Sequence, residues 1–343
     1  MAGKEKIKSI IFFLIKTGIA AAAVWFLLLR NPDEIAEGFR HFDFFYIAAA
    51  FLVYFLHMLV ASWRWWRLAR MLNVEISGRE AVSLTMQGYF FSLVIPGGAV
   101  GGDVVKMGVI SRRSRSGEKF EGVFSILMDR IIGMIALFGM ALVLIPFSSG
   151  TLLNIKVPGF ENTEQFDRLL LAGLILLCLA GLAASCVIFF HRIFRRIPLM
   201  DKLMCAGDRL SGGMVTRMTG ATDVYSKNWK ELLVLTVASM AGIHLMTALP
   251  VCLLLTGLGV DYPFITVVTA LTVGNIIGLI PLFPAGVGGR DIVSVLIMTA
   301  GGIASADART AQLVYTAVLL ITSLADGLFF VFDRGRKPEP ERK

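Results

Sequence analysis

Long apolar runs alternate with short polar stretches along most of the chain. Runs of about span length lie at 9–29, 44–62, 122–147, 169–190, 231–256 and 309–332. A helix needs about 20 apolar residues to cross roughly 30 Å of hydrocarbon. Two further apolar regions, 81–110 and 265–300, are interrupted by proline and glycine clusters. The pattern predicts an all-α polytopic membrane protein with six full spans and two broken units, eight hydrophobic units in all. The first run follows Lys4, Lys6 and Lys8 and is too long for a signal-peptide core, so it reads as a retained span.

The polar stretches assign sides. Basic residues cluster at 4–8, 63–80, 111–121, 191–230 and after Phe332, which together hold 24 of the 33 lysines and arginines. Cytoplasmic loops carry such an excess. The chain is therefore expected in the cytoplasmic (inner) membrane with both termini in the cytoplasm. The alternate loops are acidic, with Asp33, Glu34, Glu37, Glu161, Glu164 and Asp167 among their charges.

This orientation constrains the first broken region. Both of its flanks are basic, so it must return to the side it left. Its first limb, 81–95, gives about 22 Å of helix, short for a crossing. A re-entrant hairpin with its tip at 96–102 fits better than two complete spans. The tip reads Pro96-Gly97-Gly98-Ala99-Val100-Gly101-Gly102-Asp103. The second broken region repeats it as Pro284-Ala285-Gly286-Val287-Gly288-Gly289-Arg290-Asp291. Each copy follows two spans and precedes one, and the halves start on opposite sides. That is the pattern of an inverted-topology repeat, whose broken helices mark a substrate site near the midplane. The expected units are a first repeat at 1–150 and a second at 151–332. The second includes a basic, amphipathic linker at 191–230 lying on the membrane surface. A charged, disordered tail follows at 333–343.

Composition agrees with the pattern: 56% of residues are hydrophobic, and the mean hydropathy is +0.73. The net charge of +8 invites a nucleic-acid reading, but its sidedness answers to the membrane instead. Cys178, Cys186, Cys205 and Cys252 show no zinc or redox spacing. There is no phosphate-binding GxxxxGK[ST] loop, HExxH or nucleophile elbow. No metal, cofactor or nucleic-acid partner is expected, and no catalytic residue is assigned.

Candidate chemistry sits where charge enters the apolar regions. Lys16, Lys106, Arg130 and Arg290 lie away from the basic face, and Asp103, Asp129, Asp291 and Asp326 lie at or near their depth. Such charges usually line a cavity or pair. Asp103 and Lys106, three apart, could pair on one helix. Adjacent residues point about 100° apart, so Asp129 and Arg130, and likewise Arg290 and Asp291, should find partners elsewhere. The limbs after the tips should begin at Asp103 and about Asp291, with free N–H groups facing a ligand. Arg290 and Lys106 would add phosphate contacts. The expected substrate site is Pro96, Gly97, Gly98, Gly101, Gly102, Asp103, Lys106, Pro284, Gly286, Gly288, Gly289, Arg290 and Asp291. Arg64, Arg67, Asp129, Arg130 and Asn275 would support it. The competing role for Asp103 and Asp291 is capping of the following helices. Trp63-Arg64-Trp65-Trp66-Arg67 reads as an interfacial aromatic belt, with gathering of anionic headgroups as its second reading. His57 and His244 read as hydrogen-bonded packing, and Asp326 as the partner of an arginine.

The strings IPGGAVGGDVVK, PLFPAGVGGRDIV, SWRWWRL and MDRIIGM, in one chain, resemble the lysylphosphatidylglycerol synthase transmembrane-region family. This is the flippase-like membrane domain of MprF-type proteins, which also occurs alone. The resemblance covers about 5–332. Members commonly carry G-x-G-x-R-E at the second motif. Here it reads Gly286-Val287-Gly288-Gly289-Arg290-Asp291, with an additional glycine and the shorter aspartate. The resemblance implies a lipid translocator for an aminoacyl-phospholipid, polyprenyl-phosphate or hopanoid substrate. The soluble aminoacyltransferase domain of longer relatives is not expected here, so any synthase label would be inherited from them. The alternatives are a membrane-embedded lipid-modifying enzyme and an accessory partner of a separate synthase or glycosyltransferase. A transporter of a small anionic metabolite would fit the same architecture. The oligomeric state is left open.

Overall fold

The computed structural model describes residues 42–95, 99–113, 118–157, 163–189, 212–280 and 287–332, with single positions between 202 and 209. The expected first span at 9–29, tip residues Pro96, Gly97, Gly98, Pro284 and Gly286, part of the linker and the tail at 333–343 lie outside them.

The described residues are helical throughout their regular structure. The helices are α1 (Phe45–Met71), α2 (Gly78–Val94), α3 (Ala99–Arg113), α4 (Lys119–Leu152), α5 (Glu164–Phe189), α6 (Met214–Lys227) and α7 (Trp229–Ser239). A π-helical turn, Met240–Leu245, joins α7 to α8 (Met246–Gly257). Then come α9 (Phe264–Gly278), α10 (Gly289–Ala300), α11 (Ser305–Ala325) and the short α12 (Gly327–Val331). Among the described residues, five helical stretches are long and apolar enough to cross a membrane: α1, α4, most of α5, α7 through α8, and α11 through α12. This is an all-α, multi-pass membrane protein. Exposed apolar side chains such as Leu169, Leu176, Val234 and Phe332 lie on these helices or directly after the last, where lipid tails replace water as their neighbour.

One expected boundary differs. The run from Trp63 to Arg67 is not a loop. α1 continues through it to Met71, and Trp65 is fully buried. The reason is packing: Trp65 donates its indole N–H to Ser125 Oγ at 3.1 Å and joins a core with Leu68, Phe124, Met128, Tyr225 and Leu235. Only Leu72 to Ser77 connects α1 to α2. There, Ser77 caps α2 by accepting from the Glu80 N–H.

The two broken regions form two antiparallel helix pairs. Along α2 and α3, Arg113 bonds Glu80, Lys106 bonds Thr85, and Gly102 meets Gly88 and Ser92. A methyl group at Gly102 would run into the Gly88 carbonyl and the Ser92 hydroxyl. In the second pair, a methyl at Gly274 on α9 would run into Ser294 Oγ and lie 2.9 Å from the Arg290 carbonyl oxygen. Glycine lets both backbones close to contact.

Long-range contacts set the pairs in place. α1 runs antiparallel to α7–α8, with the Asp43 N–H bonded to the Gly257 carbonyl at one end and Arg67 paired with Glu231 at the other. α9 packs on α4, where Ser148 and Thr269 hydroxyls are 2.7 Å apart. α2 packs on α11 and α12, where the Gln87 amide donates to the Phe329 carbonyl. Each helix pair therefore leans on a long helix from the other half of the chain.

We expect Gly102→Ala to destabilise the protein by about 1–3 kcal/mol through overpacking. Gly108→Ala, on the same helix with nothing within 4 Å of the added carbon, should be neutral or gain up to about 1 kcal/mol. Thermal unfolding of both variants in detergent checks this; equal effects would contradict the close-packing account.

Candidate functional site

α3 and α4 bring the first charge cluster together. Arg130 donates to both Asp103 oxygens, the Nη2–Oδ1 bond being 3.0 Å. This is a fork-on-carboxylate pair. Its two ends differ in access: the Arg130 side chain is 44% exposed and that of Asp103 14%. Lys106, one turn further along α3, points elsewhere. Its ammonium bonds Thr85 Oγ1 at 3.2 Å and lies 3.5 Å from the centroid of the Trp65 ring. The expected local Asp103–Lys106 pair is thus corrected. Asp103 turns to α4, whereas Lys106 enters the cleft between α2 and α1, where an aromatic face receives its charge. Asp103 is also not the first residue of its helix. α3 begins at Ala99, which puts Asp103 in the second turn, past the capping position.

Neighbouring Asp129 takes a different arginine, as the 100° step between adjacent helical residues predicts. Arg64 from α1 donates to it at 2.8 and 3.2 Å and to Ser239 on α7 at 3.1 Å. Gly133 leaves room for that guanidinium; an added carbon there would lie 3.2 Å from Arg64 Nη1. Arg67 makes a second link between the halves, to Glu231 at 2.7 Å.

The second cluster sits at the start of α10. Gly288, at φ 95°, turns the chain in a conformation that side chains resist. Its N–H donates to Asp291 Oδ2 at 2.9 Å, so Asp291 does satisfy a free helix-end donor. The other oxygen accepts from Arg290 at 2.8 and 2.6 Å and from Gln312 at 2.8 Å. The expectation that Arg290 and Asp291 find partners elsewhere is therefore corrected. The carboxylate folds back to the helix start, and the long arginine side chain curls to meet it. Arg290 also bonds Thr316 at 3.0 Å and lies 5.0 Å from the Tyr315 ring centroid. Both are sealed, at 3% and 1% exposure.

An aromatic row connects the clusters. Tyr315 is 6.1 Å from Tyr54, Tyr54 is 5.0 Å from His57, and His57 is 6.1 Å from Tyr89, ring to ring. Tyr89 lies on α2, the helix that pairs with α3. His57 and His244 are packed and hydrogen-bonded, to the carbonyls of Tyr54 and Gly133. Asn275 bonds Thr247 Oγ1 at 3.3 Å.

Of the expected site residues, Gly101 and Gly102 lie in the α2–α3 contact, and Gly288 and Gly289 form the start of α10. Sequence reasoning missed Thr85, Ser239, Gln312, Tyr315 and Thr316. Gln312 and Thr316, four apart on a membrane-spanning helix, carried a signal: a polar stripe facing inward. Among the described residues, no group of three or more histidine, cysteine or acidic side chains could hold a metal ion.

Comparison with known proteins places this architecture. A family model described as the lysylphosphatidylglycerol synthase TM region matches residues 13–327. The chain belongs to that family. The match is to the membrane region of such synthases, a flippase-type all-α domain, and not to a transferase domain. A UPF0104 membrane protein of Methanothermobacter thermautotrophicus is 22% identical over 329 residues, covering 88% of this chain and 88% of that protein. A UPF0104 membrane protein of Pyrococcus horikoshii is 21% identical over 268 residues, covering 77% of this chain and 79% of that protein. No solved structure matches.

Removing one partner of a buried ion pair strands the other charge, at a cost of about 3–5 kcal/mol. Asp129→Leu should therefore lower the midpoint of thermal unfolding more than Asp129→Leu combined with Arg64→Leu. A double variant at least as unstable as the single would show that the pair is not the element joining α1 to α4.

Proposed function

We propose that this protein is a lipid translocator that passes a phosphate-bearing headgroup across the cytoplasmic membrane. The observation that carries the reading is the Arg130–Asp103 pair: an accessible guanidinium on a membrane-spanning helix, held in place by a carboxylate. Two oxygens of a lipid phosphate accept the planar guanidinium fork, as do those of the carboxylate it would displace. Transfer of Arg130 from Asp103 to phosphate keeps the arginine paired at each stage, and the Asp103 carboxylate it releases then takes a proton or water.

Several features support the reading. The family is of flippase type. The open ends of the two helix pairs fit opposite faces, since α2 and α3 meet the end of α1 that carries Arg67 and Arg70, while α9 follows the opposite end of α7–α8. In this reading they are re-entrant hairpins of an inverted repeat. The basic end faces the cytoplasm, and the tips with Gly101, Gly102, Gly288 and Gly289 border the headgroup path. The acyl chains stay in the bilayer. The cation selects phosphate-bearing lipids, aminoacyl-phospholipids or polyprenyl phosphates, over uncharged hopanoids. Lys106, buried against Thr85 and Trp65, adds positive charge one turn along α3, and Arg290, locked by Asp291 and Thr316, holds the start of α10.

Reconstituted vesicles with fluorescent phosphatidylglycerol test this. Arg130→Ala should slow lipid movement about tenfold or more, the worth of a charged hydrogen-bonded contact, and Arg130→Lys should retain part of it. Wild-type rates in Arg130→Ala combined with Asp103→Asn would sink the reading.

A further inference from the structure

Asp326 stands apart from Asp103, Asp129 and Asp291. It lies between α11 and α12 and is 3% exposed. Its expected pairing with an arginine is not seen: among the described residues no cation lies within salt-bridge distance, and its Oδ2, sealed from solvent, accepts no hydrogen bond. Asp103, Asp129 and Asp291 each take a guanidinium. α1, α2, α8 and α10 pack against α11, and α2 packs against α12; the first two of these helices carry Tyr54 and Tyr89. Arg290, the charge on α10, is taken by Asp291 and Thr316.

Asp326 sits in an apolar corner. The exposed apolar run Leu328, Phe329, Phe330, Val331 and Phe332 follows it, and its neighbour Gly327 lies against Phe90 of α2. Phe90 is about 18 Å along α2 from Gly78, by the rise of a helix. The corner is thus level with the inner end of the α2–α3 pair. It is tied to that pair by the Gln87–Phe329 bond and by the Phe91 and Phe330 rings, 5.1 Å apart. An unpaired carboxylate in such a place costs several kcal/mol, whereas the neutral acid costs far less.

We propose that Asp326 is the proton-binding group that couples lipid movement to the transmembrane proton gradient. The inference rests on the translocator reading. With its proton, the acid is stable under α2 and the corner stays closed. Without it, the charge favours a state in which the α2–α3 pair moves off and water reaches the carboxylate. The proton is bound and released at one carboxyl oxygen, and no other bond changes. Because α2 and α3 also carry Thr85, Lys106 and Asp103, the protonation of Asp326 biases the position of the headgroup contacts.

Two measurements on the full chain separate this from the reading it rests on. The first is lipid movement in proteoliposomes under an imposed pH gradient. Wild-type protein should move lipid faster with the gradient in one direction than without it. Asp326→Asn should move lipid at one rate regardless of the gradient, and Asp326→Glu should restore part of the response. A gradient response kept in Asp326→Asn overturns the proposal. The second is infrared difference spectroscopy of the purified protein through a pH titration. A protonated-carboxyl band present in wild type and missing from Asp326→Asn supports proton binding without any transport. If that band is present while wild-type protein moves no lipid, the translocator reading fails and the proton site stands. If lipid moves and the band is identical in both proteins, the proton site fails. Size-exclusion profiles and unfolding midpoints matching wild type establish that Asp326→Asn, nearly the same size and uncharged, is folded.

Discussion

Charged side chains inside an apolar slab need counter-charges or polar partners, and that constraint organises this molecule. Arg64 pairs with Asp129, Arg130 with Asp103, and Arg290 with Asp291. The first two pairs join α1 to α4 and α3 to α4, and Arg64 reaches on to Ser239 in the other half of the chain. α4 is therefore the meeting point, with successive residues Asp129 and Arg130 facing two different helices. Lys106 follows the same constraint by other means, through a hydroxyl and the face of Trp65.

Close backbone approach is the second ingredient. Membrane helices gain little from hydrophobic association, so packing and polar contact must hold them together. Gly102 and Gly274 bring each helix pair to backbone contact, and Ser92 and Ser294 fill the seams. The pairs then lean across the chain, α2 on α11 and α12, α9 on α4. A shift of one pair has to be felt by the long helices of the opposite half.

The two charge clusters differ in a way that bears on function. The Arg290–Asp291 cluster is closed, with one carboxylate oxygen accepting from arginine and glutamine and the other from the backbone. The Arg130–Asp103 cluster is open on its arginine side. A closed cluster at the start of α10 and an accessible one between α3 and α4 divide the charge of the two helix pairs into a framework part and an exposed part. The aromatic row from Tyr315 to Tyr89 spans the distance between them with rings in contact.

Hydrophobic run lengths by themselves determined the span-length helices among the described residues, because the thickness of hydrocarbon sets how many apolar residues a span needs. Proline and glycine clusters likewise marked where α2 ends before α3 begins and where α9 ends before α10, since those residues interrupt a helix. The intramembrane charges were also legible, as was the divergence of Asp129 from Arg130, which follows from helical geometry alone. Only the tertiary structure decided the partners. Arg130 meets Asp103 across 27 positions, Arg64 meets Asp129 across 65 and Ser239 across 175. Helical periodicity relates residues within one helix and is silent on which faces of different helices meet. It was tertiary packing too that carried α1 past Trp63 to Met71, because buried partners for Trp65 and Arg64 outweighed the loop suggested by a basic, aromatic sequence. And it was packing that set Asp326 where no cation among the described residues lies within salt-bridge distance, a fact no reading of neighbouring residues could supply, since the helices packed on α11 and α12 include α1 and α2, more than two hundred positions away in the chain.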